Sequence, residues 1–421
     1  MSSARTLITL LVLGSFSLLA CQPAPQAPGQ PAAPATSAPA AKTAPTASGQ
    51  AQAAPTSAPA AARPARTPTT APRTGPYRAQ SPEYGLSAFL LGHPETTQRD
   101  LQKVTDLSFG WVKLLFPWRQ IEGAAKRKFD WDEADRTVRA ARAANLRIVA
   151  RLDFQPLWAR RDRAPNGPPD NYADYADYVG AFVTRYKQGS KNGTVDAIEI
   201  WNEVNLDREW GGAQITQASA SDYVELLKGA YQAAKKADPG VTVISAGLSP
   251  TGIDDGTAQP DDAYLRWMYH AGAKPYFDAL GANANVQCPC VDAAPGTAQG
   301  FDHPSFYFRR TEQLHDIMAA NGDGDKQVWL LEFGWTTDTI HPSYSWYATT
   351  EEKKGDLIVQ AFQFARQKWA PWIGVMTLWT VADPTWGPND EQVWWSVTNP
   401  DGTTRPAYDR LLQARRDGTL S

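Results

Sequence analysis

Cysteine is nearly absent: Cys21, Cys288 and Cys290 are the only three in 421 residues, too few for the disulfide framework of a small secreted scaffold. Acidic side chains are missing altogether before Glu83, and no aromatic residue occurs between Gln22 and Pro76. A stretch built from Ala, Pro, Thr, Ser, Gln and Gly cannot bury enough apolar surface to offset its ordering entropy, so 21–78 reads as a disordered tether. The apolar run at 7–20 is too short to span a bilayer comfortably. His93, His270, His303, His315 and His341 show no metal-ligand spacing, so metal-dependent hydrolysis has no support and no cofactor is expected. Asn321-Gly322-Asp323-Gly324-Asp325 has the look of a calcium loop, but Lys326 stands where such a loop needs Gly, so it reads as a turn.

What is present begins with Arg5 and the apolar run, the layout of a secretory signal over 1–20. Leu18-Leu19-Ala20-Cys21 resembles a bacterial lipobox, which implies cleavage before Cys21, acylation of that cysteine, and an extracytoplasmic protein anchored to the membrane surface. An ordinary signal peptide cut at a small residue is the other reading. Cys288 and Cys290, one residue apart, either close a small ring or stay as thiols. Six of the 41 basic residues precede Glu83, leaving 35 against 44 acidic ones, about nine net negative charges on the body of the chain. That surplus argues against nucleic acid as a partner.

From 79 to 421 the texture is one of strands alternating with amphipathic helices, enough for one large domain. Strand-like runs are expected at 85–91, 111–116, 146–152, 195–201, 241–246, 279–284, 328–331 and 373–379, each followed by a helical segment. Eight such pairs fit an α/β fold of the (β/α)₈ TIM barrel type with lengthened loops. A doubly wound sheet is the alternative, yet no glycine-rich turn follows the first strand.

Two of these strands end alike. Ala197-Ile198-Glu199-Ile200-Trp201-Asn202-Glu203 and Val328-Trp329-Leu330-Leu331-Glu332 are apolar runs that each deliver a glutamate at the carboxyl end. In a barrel both reach the active face. Strand alternation places Glu203, Trp201 and Glu199 on one face, and Glu332, Leu330 and Val328 on one face of their strand. Glu199 then points inward below Glu203, a structural charge needing Lys113, Arg147 or Arg151 as partner. Either glutamate alone reads equally well as a solvated loop residue or a helix cap, whereas together they are the pair that acid/base chemistry on a glycosidic bond requires.

Trp201-Asn202-Glu203, Glu332-Phe333-Gly334-Trp335 and the turn from Asn399-Pro400-Asp401-Gly402 to Arg405-Pro406-Ala407-Tyr408 resemble clan A of the glycoside hydrolases, with families 39 and 5 nearest in flavour. The resemblance covers about 83–416. It implies a retaining glycosidase acting on β-linked carbohydrate, with Glu203 as general acid/base, Glu332 as nucleophile, Asn202 on the sugar 2-hydroxyl and Trp379 as the floor under the reacting sugar. Carboxyls about 5 Å apart would divide those roles through mutual repulsion. Where the family often carries His-Pro-Tyr after the sixth strand, this chain has Asn283, at a position concerned with orienting the nucleophile. Trp118, Trp158, Trp335 and Tyr344, from a wider set of loop aromatics, are candidates for stacking on sugar faces, although packing explains any single one as well. Asp153 is a candidate for sugar hydroxyls or for an internal pair with Arg151. The expected protein is a monomer with a carbohydrate partner. A carbohydrate-binding lipoprotein without turnover is the alternative.

Overall fold

The computed structural model describes residues 74–162, 164–301 and 303–420. The signal segment, Cys21 and nearly all of the tether lie outside the described residues. Eight parallel strands, β1 (Glu83–Ala88), β2 (Trp111–Leu115), β3 (Arg147–Leu152), β4 (Ala197–Ile200), β5 (Thr242–Ser245), β6 (Ala279–Asn285), β7 (Gln327–Gly334) and β8 (Ile373–Leu378), pair in chain order. β8 returns to β1 through Glu83 opposite Val375 and Leu86 opposite Leu378, closing the barrel. Every strand overlaps an expected run, and the (β/α)₈ fold is confirmed. Among the described residues no helix is long and apolar enough to cross a membrane.

Helix starts follow the local chemistry. Asn171 accepts a hydrogen bond from Ala173 N ahead of the Tyr172–Tyr186 helix, and Thr216 with Ser219 forms a capping box for Gln217–Ala237. Each cap satisfies backbone donors that the first turn leaves without a partner. Outward-facing strand residues such as Val112, Ile198, Leu330 and Phe333 join the helices in the main core. Inward-facing ones form a second cluster of Trp111, Val149, Ala197, Ile244, Ala279, Trp329, Leu331 and Val375. Two indoles set among small and branched side chains fill the lower barrel, with Trp111 and Trp329 edge to face at 5.2 Å. This apolar plug leaves the opposite, carboxyl-terminal mouth for chemistry.

The ordered body begins earlier than 79. Tyr77 N donates to Thr242 Oγ1 and Tyr77 OH to Glu83, while its ring meets Trp111 at 5.5 Å and carries the Arg147 guanidinium at 4.1 Å. Ala79 N donates to Gln327 Oε1. The first aromatic after the tether thus closes the barrel floor, and Tyr77 and Arg78 belong with the barrel. Cys288 and Cys290 are joined in a disulfide. The 321–326 segment is a turn, as expected, in which Lys326 Nζ pairs with Asp323 at 3.2 Å.

Replacing Trp329 by Ala would open a cavity inside the plug, with Trp111 losing its partner. The expected cost is about 3–5 kcal/mol of unfolding free energy, read as a lowered denaturant midpoint with the m-value unchanged.

Candidate active site

Neither glutamate reaches the mouth by simple strand alternation. β4 ends at Ile200, and Trp201 (φ 67°) and Glu203 (φ 42°) both adopt the left-handed region that costs a residue with a Cβ roughly 1–2 kcal/mol. That turn sends Trp201 outward into the core, where its ring lies against Tyr175 and Trp210 and its Nε1 donates to Glu209 O. The expected common face of Glu199, Trp201 and Glu203 is therefore broken at Trp201. Glu203 is held by its own N–H donating to Gly247 O, two residues past the end of β5.

β7 departs in another way. Ala282 pairs with Leu330 but Asn283 pairs with Glu332, so Leu331 is an extra residue, a β-bulge. Val328 and Leu330 face the helices, Trp329 and Leu331 face the barrel axis, and the bulge turns Glu332 inward directly after Leu331. The expected face of Val328, Leu330 and Glu332 is corrected accordingly. Bulges that re-aim one side chain are characteristic of such sites.

A layer of charge lies above the plug. Lys113 Nζ is 2.9 Å from Glu199 Oε2 and 2.8 Å from Glu332 Oε1. Arg151 grips Asp153 through Nε and Nη2, at 2.7 and 2.6 Å, and sets Nη1 3.5 Å from Glu332 Oε1. Burial pulls the Lys113 ammonium down, but Glu199 and Glu332 outweigh it and leave it above its ordinary value. Asp153 and Glu332 likewise overcome burial at Arg151 and raise it. Glu332 thus faces two permanent cations, while Glu199 is the structural partner of one of them. Trp379 lies over this layer and, with Ser87, Phe89, Lys113, Arg151 and Glu332, lines a small pocket.

Glu203 stands across the mouth with both oxygens engaged. Asn283 Nδ2 donates to Oε1 at 3.2 Å, and Arg208 Nη2 to Oε2 at 2.9 Å. The same Asn283 amide reaches Asn202 Oδ1 at 3.4 Å. The Asn283 side chain therefore binds Glu203 rather than Glu332, although its backbone pairs beside Glu332. Gly247 makes this possible, since a Cβ there would sit 2.4 Å from Asn283 Oδ1.

The other expected residues divide. Trp118 is fully buried, stacked on Tyr178, with its Nε1 donating to Glu122 at 2.6 Å. Trp335 is buried against Phe308 with its Nε1 donating to Cys288 O. Asp153 is buried in its pair with Arg151. These three hold the scaffold and offer no face to a sugar. Trp158, partly exposed, uses its Nε1 on Glu122 O. Tyr344 lies on the loop after β7; burial, then Glu391, raises its hydroxyl above the ordinary range, with Arg208 and Glu203 among the charges it feels. Sequence reading missed Lys113 as a partner of Glu332, and it missed Arg208 and Glu209 altogether. The alternating charges of Asp207-Arg208-Glu209, in the loop that carries Glu203, were the available signal.

No protein-family model and no curated protein sequence matches the chain. Solved structures do match its fold. One is a family 39 glycoside hydrolase from Bacteroides cellulosilyticus WH2, at 17% identity and a TM-score of 0.60, covering 81% of this chain and 65% of that one. A family 5 glycoside hydrolase from Streptomyces cattleya, in complex with GlcNAc, matches at 16% and 0.58 over 82% of each chain. An exo-β-1,4-mannosidase from Opitutaceae bacterium strain TAV5 matches at 16% and 0.54, over 82% of this chain and 62% of that one. The shared feature is the barrel. This chain thus spans about two thirds of the length of the first and third of these proteins.

Glu209 gives a pH signature. Burial, opposed by Arg151 and reinforced by Glu203, pushes its carboxyl up to about 7. A carboxyl raised on folding binds more protons in the folded state, so its contribution to stability is complete below about 4.5 and is lost as pH rises through about 7. Asn166 Nδ2 donates to Glu209 Oε2 at 2.6 Å, and Glu209→Gln keeps an acceptor for it while removing this titration. Urea unfolding should show the variant gaining on the parent protein by about 2–3 kcal/mol between pH 4.5 and 8.

Proposed function

We propose that the protein is a retaining glycoside hydrolase that cleaves β-glycosidic bonds in oligo- or polysaccharides. The observation that carries the reading is the asymmetric pair of glutamates at one barrel mouth, Glu332 set against Lys113 and Arg151 and Glu203 set against Asn283 and Arg208. The matched folds include named glycosidases, one solved with GlcNAc and one called a β-1,4-mannosidase, which supports a β-linked carbohydrate substrate.

In this reading Glu332 attacks the anomeric carbon while Glu203 gives its proton to the departing glycosidic oxygen, so the C–O bond breaks as a glycosyl ester forms on Glu332. Glu203, now a carboxylate, takes a proton from water as that water displaces Glu332 from the anomeric carbon, and this one proton resets Glu203 as the acid. Lys113 and Arg151 keep Glu332 oriented and accept its charge when the ester breaks. Asn202, beside Glu203, suits the 2-hydroxyl, where a hydrogen bond strengthens as positive charge develops on the ring. Trp379 supplies an apolar face beneath the sugar. The charge count argues against an acidic sugar there, because the two cations are already matched by three carboxylates, Glu199, Glu332 and Asp153. The lipobox at Cys21 supports an extracytoplasmic enzyme anchored to the membrane surface through an acylated amino terminus.

The test is sugar release by the full chain across β-linked polysaccharides, oligosaccharides and aryl glycosides, beside Glu203→Gln and Glu332→Gln. Release should fall about 10²–10⁴-fold in the first variant and vanish in the second. Absence of release by the parent on every glycan, with glycan binding retained in all three proteins, would make this a carbohydrate-binding protein instead.

A further inference from the structure

A general acid must present one oxygen to the leaving group, yet both oxygens of Glu203 are occupied. The two occupants differ in freedom. Asn283 is buried, sits within β6 and is backed by Gly247, so its bond to Oε1 belongs to the scaffold. Arg208, on Oε2, is set among protein charges inside the mouth, but its side chain is 64% exposed. Oε2 is therefore the oxygen that can be freed, and only by moving Arg208.

A second acceptor stands beside it. Glu209 Oε1 lies 3.7 Å from Arg208 Nε, beyond hydrogen-bond range, while its Oε2 accepts from Asn166 Nδ2 at 2.6 Å. Backbone contacts hold Glu209 in place, with Trp201 Nε1 on its carbonyl and its N–H donating to Leu206 O. A short swing of the guanidinium, with no backbone change, would exchange one carboxylate for the other.

We propose that Arg208 is a movable positioning residue, which occupies Glu203 Oε2 in the empty site and transfers to Glu209 when the leaving-group sugar takes its place. This rests on Glu203 being the acid/base. Arg208 guards the carboxyl before substrate arrives, and Glu209 receives the guanidinium so that its charge is not stranded in the mouth. The surroundings suit the exchange. Glu209 also faces Arg151 on β3 and Asp153 just after it, and Arg208 faces Tyr344 and Glu391 from the loops after β7 and β8. A carboxyl held near neutrality by burial, as Glu209 is, accepts a cation without a fixed surplus of negative charge beforehand.

Leaving groups separate this role from a structural one, because a sugar needs the proton from Glu203 and 2,4-dinitrophenolate does not. The full chain is assayed on 2,4-dinitrophenyl β-D-glycosides of the gluco, manno, xylo and galacto series and on the matching β-1,4-disaccharides. For the active series, the quantity read is the ratio of kcat/KM on the disaccharide to that on the dinitrophenyl glycoside. Unfolded protein lowers both terms equally and leaves the ratio alone. Arg208→Met, which frees Oε2, should raise the ratio about fivefold, and Glu209→Gln, which removes the second seat, should lower it about fivefold, shifts of the size of one partly exposed ion pair. Both shifts should disappear in a Glu203→Gln background. If Glu203→Gln by itself fails to collapse the ratio, Glu203 is not the acid and the proposed mechanism falls. If it does collapse the ratio while Arg208→Met and Glu209→Gln leave it within about twofold of the parent or move it in the same direction, the mechanism stands and the exchange is overturned.

Discussion

One buried ammonium holds the site together. Lys113 Nζ ties Glu199, deep in the barrel, to Glu332 at its mouth, with less than 3 Å to each. Three carboxylates and two cations share a space from which water is largely excluded, and none could stay there alone, because an unpaired buried charge costs several kcal/mol. Glu199 is thus a foundation rather than a reactive group. It allows Lys113 to lie in the barrel, and Lys113 with Arg151 allows a carboxylate to sit over an apolar plug. The plug matters to the charges in turn, because Trp111 and Trp329 fill the lower barrel and leave the pairs no room to relax downward.

Backbone irregularity does the aiming. A regular β4 would carry Trp201 into the mouth beside Glu199, and a regular β7 would face Glu332 toward the helices with Leu330. The left-handed turn at Trp201 and Glu203 and the bulge at Leu331 reverse both outcomes. Strain and bulges are tolerated where surrounding contacts over-determine them. Here the contacts are the indole of Trp201 in the core, the Gly247 carbonyl receiving Glu203 N–H, and the Lys113 ammonium on Glu332.

These irregularities also mark what sequence could and could not reveal. Eight strands were legible because their apolar runs are short, evenly spaced and separated by amphipathic segments, and the two glutamates because each closes such a run. Face assignments were not, since period-two alternation assumes the regularity that both strand ends lack. Trp118 and Trp335 show the weakness of aromatic density as a guide. Indoles next to a site pack its walls as readily as they line it, and it is burial that tells the two apart, with Nε1 spent on Glu122 in one and on Cys288 O in the other. Asn283 was found by its place in the chain but linked to the wrong carboxylate, because side-chain reach across β6 to the β4 loop cannot be read from order along the chain. Arg208 and Glu209 left only an ambiguous signal in the sequence, because a charged tripeptide in a loop looks solvated until a fold brackets it.

A covalent bond between Glu332 and sugar can be trapped by incubating the protein with 2-deoxy-2-fluoro-β-glycosyl fluorides of the gluco, manno, xylo and galacto series and locating any adduct by mass spectrometry of peptides. One glycosyl ester is expected, on Glu332, formed at a rate that falls sharply in Lys113→Met. An ester on another residue, or no ester together with a first product of inverted anomeric configuration by NMR, would contradict it.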